Sequence, residues 1–176
     1  MKKKKNNKGF SLIELIVVIA MLGVMTAVGG YSLTAISAAN AKECAKEIEA
    51  GLVSTRTQSY SSDKTGSIAN VAFYKDTDGI YMKKSFESEA KKIGGSKVVV
   101  KYRVKNGTPK TLGVTDGVDG VDSTPIIFSF DRSSGAFRNL QQNGSDIGMC
   151  EIIQVISGGR TYTITCYAKT GKIVVE

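Results

Sequence analysis

An uncharged, apolar stretch near the amino terminus constrains this chain more than any other feature. From Leu15 to Ala41 the sequence has 27 consecutive residues without a charged side chain. About 20 apolar residues in a helix are enough to cross the hydrocarbon core of a bilayer. A buried helix of a globular domain is rarely this long and apolar on every face. The stretch therefore predicts a membrane-spanning helix.

The distribution of charge orients this helix. The chain carries 24 Lys and Arg against 16 Asp and Glu, a net charge of +8. Five of the lysines lie within residues 1–9, so the other residues hold 19 basic against 16 acidic side chains, a net charge of +3. A basic flank stays in the cytoplasm when the adjacent helix inserts. A secretory signal peptide fits less well than a membrane anchor, because its apolar stretch covers only about 7–15 residues and the small residues at 35–39 come late for a cleavage site.

One carboxylate lies close to the start of the apolar stretch. Glu14 follows Phe10 by four residues, and an ionisable side chain at a membrane interface still needs a partner. Cleavage between Gly9 and Phe10 would create an α-amino group on the same helix face as Glu14. The helix dipole also favours a carboxylate in the first turn. Glu14 is therefore placed to neutralise an amine at Phe10, in its own chain or in a neighbouring one.

The segment KGFSLIEL at residues 8–15, preceded by a short basic leader, resembles the type IV prepilin family. The resemblance covers about residues 8–40. It implies that a membrane-embedded prepilin peptidase cleaves after Gly9 and N-methylates the new amino terminus at Phe10. It also implies that Glu14 pairs with the terminal amine of a neighbouring subunit during filament assembly.

The resemblance implies a structural subunit of a type IV pilus that serves motility or adhesion. The prepilin would be a single-pass protein of the cytoplasmic membrane with its amino terminus in the cytoplasm, and later part of an extracellular surface filament. The implied partners are other copies of the chain in a helical homopolymer, the prepilin peptidase, the assembly platform with its ATPase, and minor pilins. A pseudopilin of a type II secretion or DNA-uptake system is the alternative, since it is built in the same way.

Enzymatic activity is not expected. The sequence contains no His, which removes the most common general base and the usual metal ligand. No recognisable nucleophile constellation replaces it, and we expect no cofactor.

The apolar stretch contains three glycines and no proline. Many family members have a proline about two-thirds along this helix, where the present chain has Tyr31 after Gly29 and Gly30. A glycine costs about 1 kcal/mol in a helix interior. The segment Gly23–Gly30 is therefore a candidate for local melting in a filament, although the glycines could equally serve close helix packing.

Beyond Ala41 the pattern becomes amphipathic, with small and apolar residues at helical spacing and charged residues on the other faces. The stripe consists of Ala41, Ala45, Ile48, Leu52 and Thr55. It predicts one continuous helix from about Phe10 to about Tyr60, with its outer half packed on a head domain.

The remaining residues predict a small antiparallel sheet of about five strands. The strand segments, rich in β-branched residues or bounded by turn residues, are 97–105, 125–131, 136–141, 149–156, 160–168 and 172–175. Residues 74–81 have the composition of a turn, and Ser85–Ile93 predicts a short helix ended by Gly94 and Gly95. The fold class is α+β, a long helix packed on an antiparallel sheet, in agreement with the pilin fold. The predicted organisation is a cleaved leader, a transmembrane and assembly half-helix, an amphipathic half-helix and a head, over residues 1–9, 10–37, 38–61 and 62–176.

Three cysteines are candidates for disulfide bonds if the head is outside the cytoplasm. Cys150 and Cys166 flank Gly158 and Gly159, and a three-residue loop centred on Gly158 would place the two cysteines opposite each other. A disulfide requires Cα atoms about 4.4–6.8 Å apart. Cys44 could instead bond to one of the two, or all three could be reduced and buried. Family members often close a carboxy-terminal loop with a disulfide, which this arrangement resembles loosely.

Asp116, Asp119 and Asp122 recur every three residues in a Gly-rich segment. Calcium binds several carboxylate and carbonyl oxygens in flexible loops, and some pilin-like proteins of secretion systems bind it in the head. The spacing matches no complete EF-hand loop, and Asp and Gly are also ordinary turn residues. These aspartates are weak calcium candidates, and no metal site is expected.

Basic residues cluster in the segment 83–105. The cluster consists of Lys83, Lys84, Lys91, Lys92, Lys97, Lys101, Arg103 and Lys105. Pili can bind DNA through such patches, but a solvated strand face or an inter-subunit surface is the more common use. DNA is not an expected partner.

The cleavage assignment leads to a direct test. Gly9→Ala should largely block removal of the leader, because the resemblance places Gly9 immediately before the scissile bond. The mass of the protein recovered from membranes distinguishes the full chain of 176 residues from the processed chain. Normal processing of this variant would contradict the assignment.

Overall fold

A 50-residue α-helix, α1, runs from Leu12 to Ser61. The computed structural model describes residues 11–61, 68–113 and 124–176, with the backbone alone at residues 27–34. At a rise of 1.5 Å per residue, α1 is roughly 75 Å long. The prediction of one continuous helix over this segment is confirmed. In the single chain α1 continues through Gly23, Gly29 and Gly30, whereas the melting hypothesis concerns the assembled filament and stays a prediction.

All other elements in the described residues are β-strands. In chain order they are β1 (Asn70–Asp76), β2 (Gly79–Lys84), β3 (Lys91–Gly95), β4 (Val99–Val104), β5 (Lys110–Thr111), β6 (Ile126–Ser129), β7 (Leu140–Gln142), β8 (Ser145–Gly148), β9 (Cys150–Ser157), β10 (Arg160–Tyr167) and β11 (Lys172–Val175). They form two antiparallel sheets. Sheet A has the order β3-β2-β1-β6-β7-β8 and sheet B the order β11-β10-β9-β4-β5.

The α+β class, which is consistent with the pilin fold, is confirmed, but the head contains more strands than predicted. The single small sheet is replaced by two sheets. The turn-like segment 74–81 is the centre of a hairpin in which Tyr74 of β1 pairs with Tyr81 of β2. The side chains of these two tyrosines stack with ring centroids 5.5 Å apart. A strand pair of this kind needs only a two-residue turn, here Thr77 and Asp78.

The short helix predicted over Ser85–Ile93 is wrong. The structure places turns at residues 85–89, and β3 then pairs with the edge of β2. Ile93 is buried in the core, and the Lys91 ammonium lies 2.8 Å from the Glu47 carboxylate on α1. These long-range contacts select the strand, because helix propensity over a short segment is a weak preference that tertiary packing overrides.

The outer half of α1 packs on the inner faces of both sheets. Its buried side chains are Ala41, Cys44, Ala45, Ile48, Leu52, Thr55 and Ser59, which contain every residue of the predicted stripe. Sheet A contributes Val71, Phe73, Ile80, Met82, Ile126 and Phe128 to the same core, and sheet B contributes Val100, Tyr102, Ile153, Val155, Ile164 and Cys166. One hydrophobic core therefore joins the helix to both sheets.

Arg56 attaches the end of α1 to two turns of the head. Its Nε donates to the Gly135 carbonyl oxygen at 3.1 Å, and its Nη2 donates to the Thr170 carbonyl oxygen at 2.8 Å. The two turns also touch each other, since a Cβ on Gly171 would meet the Gly135 carbonyl oxygen. Gly171 has φ +63°, a left-handed conformation that glycine adopts without a steric penalty.

Arg56→Lys should lower the free energy of unfolding by about 1–2 kcal/mol, because a hydrogen bond from a charged donor is lost while the charge is kept. A single ammonium group cannot reproduce the fork with which Arg56 reaches both carbonyl oxygens. Chemical denaturation of the full-length chain in detergent micelles measures the change. Lys42→Ala, at an exposed position of the same helix, is the matched control, and an equal loss in both variants would contradict the role of Arg56.

Candidate functional site

The first turns of α1, over residues 11–26, form an apolar surface with no cover from the head. Every side chain from Ser11 to Thr26 is exposed. The large apolar side chains among them are 46–76% exposed. They are Leu12, Ile13, Leu15, Ile16, Val17, Val18, Ile19, Met21, Leu22, Val24 and Met25. Monomeric soluble proteins rarely expose apolar patches larger than a few hundred Å², so this surface is suited to contact with lipid or with other chains.

Glu14 caps the amino terminus of α1. The backbone N–H of Ser11 donates to Glu14 Oε2 at 2.9 Å. The N–H groups of Glu14 and Leu15 donate to the Ser11 carbonyl oxygen at 3.0 and 3.3 Å. This is the glutamate half of a capping box, in which the third helical residue reaches back to the residue before the helix. The carboxylate is therefore held at the amino terminus of the helix.

The predicted cleavage and methylation residues, Gly9 and Phe10, lie outside the described residues. Of the amino-terminal site, the structure places only Glu14. The capping contact between Glu14 and the Ser11 N–H was not predicted, although the sequence Ser-x-x-Glu ahead of an apolar stretch is a recognised signal of a helix start.

Residues 4–30 match the family model described as the prokaryotic N-terminal methylation motif. The match supports a type IV pilin-like or pseudopilin protein. This is a structural family, and the motif implies a membrane-anchored or surface pilus protein. No curated protein and no solved structure matches the chain.

Within the described residues, no helix has both the length and the hydropathy needed to span a membrane. The predicted spanning segment, residues 10–37, includes residue 10 and the side chains of residues 27–34, which lie outside the described part. The division of the pilin-like chain at residues 9, 37 and 61 stays a prediction.

The turn between β9 and β10 differs from the predicted one. Ser157 pairs with Arg160, so Gly158 and Gly159 form a two-residue turn, with φ of +59° and +74°. Two consecutive residues with positive φ are typical of a type I′ turn, whose twist matches that of the strands. The predicted three-residue loop centred on Gly158 is therefore wrong. Extending the observed register would place Cys166 opposite position 151.

A β-bulge compensates for this shift. In the ladder between β4 and β9, Arg103 pairs with Ile152 and Val104 pairs with Cys150, so Glu151 is an extra residue. The side chain of Glu151 is exposed, whereas that of the preceding residue, Cys150, is buried. A bulge of this kind redirects the side chains beyond it. Cys150 consequently lies on the same buried face as Cys166.

The three cysteines are free thiols. A hydrogen bond with the Cys166 thiol, together with burial, raises the pKa of Cys150 well above its ordinary value. Burial, with a smaller effect of the Glu47 carboxylate, raises the pKa of Cys44 to about 12. Cys150 and Cys166 are thus neighbours, while Cys44 lies on α1 against Gly94. The disulfide between Cys150 and Cys166 stays a prediction.

The weak calcium candidates Asp116, Asp119 and Asp122 lie outside the described residues. Within the described residues, no group of three or more Asp, Glu, Cys or His side chains could hold a metal ion.

The basic residues of segment 83–105 do not form one surface. Those on β2 and β3 belong to sheet A, and those on β4 belong to sheet B. Four of them face carboxylates within 3.1 Å, in the pairs Lys84–Glu87, Lys91–Glu47, Lys92–Asp78 and Arg103–Glu151. The hydrogen bonds from Lys92 and Tyr81 lower the pKa of Asp78. Carboxylates thus neutralise half of the predicted cluster, in support of its interpretation as a solvated strand face.

Proposed function

We propose that this chain is a structural subunit of a type IV pilus. In this proposal, prepilin peptidase removes residues 1–9 and methylates Phe10. The mature chains then polymerise through the first half of α1 into a surface filament. The observation that carries the proposal is the division of α1. The outer half is packed on the head, and residues 12–25 present exposed apolar side chains on all faces.

Burial of the exposed apolar side chains keeps the chain in the membrane or in a filament rather than free in water. Fully burying a large aliphatic side chain contributes roughly 1.5–3 kcal/mol, and eleven such side chains lie between Leu12 and Met25. In the membrane, lipid covers them. In a filament, the helices of other copies cover them, and the outer half of α1 keeps each head at the periphery.

Glu14 selects the register of the packed helices. Apolar helices alone can slide past one another, because the hydrophobic effect is non-directional. A carboxylate buried without a partner is strongly destabilising. Cleavage after Gly9 supplies the missing cation, since it exposes an α-amino group at Phe10. Packing is then favourable at the stagger that brings this amine of one subunit to Glu14 of the next.

The capping contact keeps Glu14 ready for this pairing. Cleavage between Gly9 and Phe10 leaves the N–H of Ser11 in place, so the hydrogen bond to Glu14 Oε2 survives processing. The carboxylate needs no rearrangement when the amine of a neighbour arrives. Removal of the leader also lowers the net charge from +8 to +3, which reduces repulsion between subunits.

Glu14→Ala should leave cleavage intact and reduce the filament yield by about tenfold or more, because a buried amine without its partner costs several kcal/mol. Mass spectrometry of the membrane fraction measures processing, and electron microscopy of sheared filaments measures assembly. Glu43→Ala is the matched control, since it removes an exposed carboxylate from the head-packed half of the same helix. Wild-type quantities of filaments from the Glu14 variant would refute the register role.

Labelling with antibodies against the head tests the cellular role. Long surface filaments that label along their whole length are expected for a pilus subunit. Label confined to the cell envelope, with filaments absent, would favour the pseudopilin of a secretion or DNA-uptake system instead.

A further inference from the structure

Three sulfur-containing side chains line one open pocket at the end of sheet B. The pocket has a volume of about 380 Å³ and is lined by Met149, Cys150 and Cys166, with Lys105, Glu151 and Lys169 at its sides. We call it the sulfur pocket. It lies far along the chain from the amino-terminal assembly segment, and the proposed filament function does not use it.

The residues that carry these sulfur atoms come from two neighbouring strands. Met149 directly precedes β9, which begins at Cys150, and Cys166 lies near the end of β10. The Met149 carbonyl oxygen accepts a hydrogen bond from the Lys105 N–H at 2.9 Å, which holds this corner against β4. Cys166 also pairs with Ile173 of β11, so its strand is fixed on both sides. The bulge at Glu151 then places Cys150 on the face of Cys166.

The donor set is chemically selective. Thiolate and thioether sulfur are soft ligands that favour Cu(I) over hard cations. We propose that Met149, Cys150 and Cys166 form a binding site for a soft monovalent metal ion, of which Cu(I) is the biological example. Binding forms a Cu–S bond to each cysteine and releases both thiol protons to solvent. The copper stays monovalent, so no oxidant or reductant takes part.

The charges around the pocket suit the product of this reaction. One Cu(I) bound by two thiolates carries a net charge of −1, and a buried anion needs compensation. Lys105 and Lys169 line the same pocket and supply positive charge. The one acidic side chain in its lining, Glu151, is already paired with Arg103 at 3.1 Å. The third cysteine, Cys44, lies on α1 and does not line this pocket.

Competition with the chromophoric Cu(I) chelator bicinchoninate under anaerobic conditions tests the proposal. The full-length chain in detergent micelles, purified without reductant, should take up a single Cu(I) ion. Cys150→Ser and Cys166→Ser should each weaken binding by roughly 100-fold, because a hydroxyl replaces one of two thiolate ligands. Met149→Leu should weaken it by about 3–10-fold, since only a thioether is lost. Cys44→Ala is the matched control and should bind copper like the parent chain.

X-ray absorption spectroscopy of the copper-loaded parent chain gives a second measurement that needs no variant. A first coordination shell of sulfur alone is expected. Three results would each overturn the proposal. They are oxygen or nitrogen ligands on the copper, a copper affinity of the Cys150 and Cys166 variants equal to that of the parent chain, and a Cys150–Cys166 disulfide that consumes both thiols in the purified chain.

Discussion

The packing of one helical stripe against two sheets is the interaction on which the rest of the structure depends. The stripe from Ala41 to Thr55 contacts strands of both sheet A and sheet B, and the helix and the sheets share a single core. Small residues such as Ala41 and Ala45 allow the strands to approach the helix, and Ile48 and Leu52 are buried in this core. Because this contact ends near Ala41, residues 11–26 of α1 receive no cover from their own head. The exposed apolar surface is thus a direct result of where the stripe begins.

Local patterns in the sequence predicted the helix, its stripe and the strands near residues 99–104, 160–167 and 172–175, because periodicity and β-branched content determine these elements. The same patterns failed for β1–β3. The hairpin of β1 and β2 has a polar centre with the composition of a loop, and β3, with the sequence KKIGG, lacks strand propensity of its own. Its conformation comes from pairing with β2 and from the contact between Lys91 and Glu47. The division into two sheets also depends on long-range pairs such as β1 with β6, which no local pattern contains.

The two candidate sites also differ in how far local sequence patterns predict them. For the amino-terminal site, the sequence predicts a scissile bond, an amine and a carboxylate within a few residues, and of these the described residues contain only the carboxylate of Glu14. The proximity of Cys150 and Cys166 was expected, but for the wrong reason. A two-residue turn shifts the register, and one extra residue, Glu151, compensates for it. A strand pattern with a period of two does not reveal a single inserted residue. The bulge that places these thiols on one face could therefore not be predicted from the sequence.

The attachment of Arg56 has a mechanical consequence for any assembly held together by the first half of α1. Tension along the helix axis enters the head through the stripe, where the contacts lie side by side and share the load in shear. The last turn of the helix is the point from which the head could instead be peeled open. Arg56 closes this point with hydrogen bonds to two separate turns, one after β6 and the other before β11. Polar contacts with the head therefore hold the end of the helix at the point where peeling would begin.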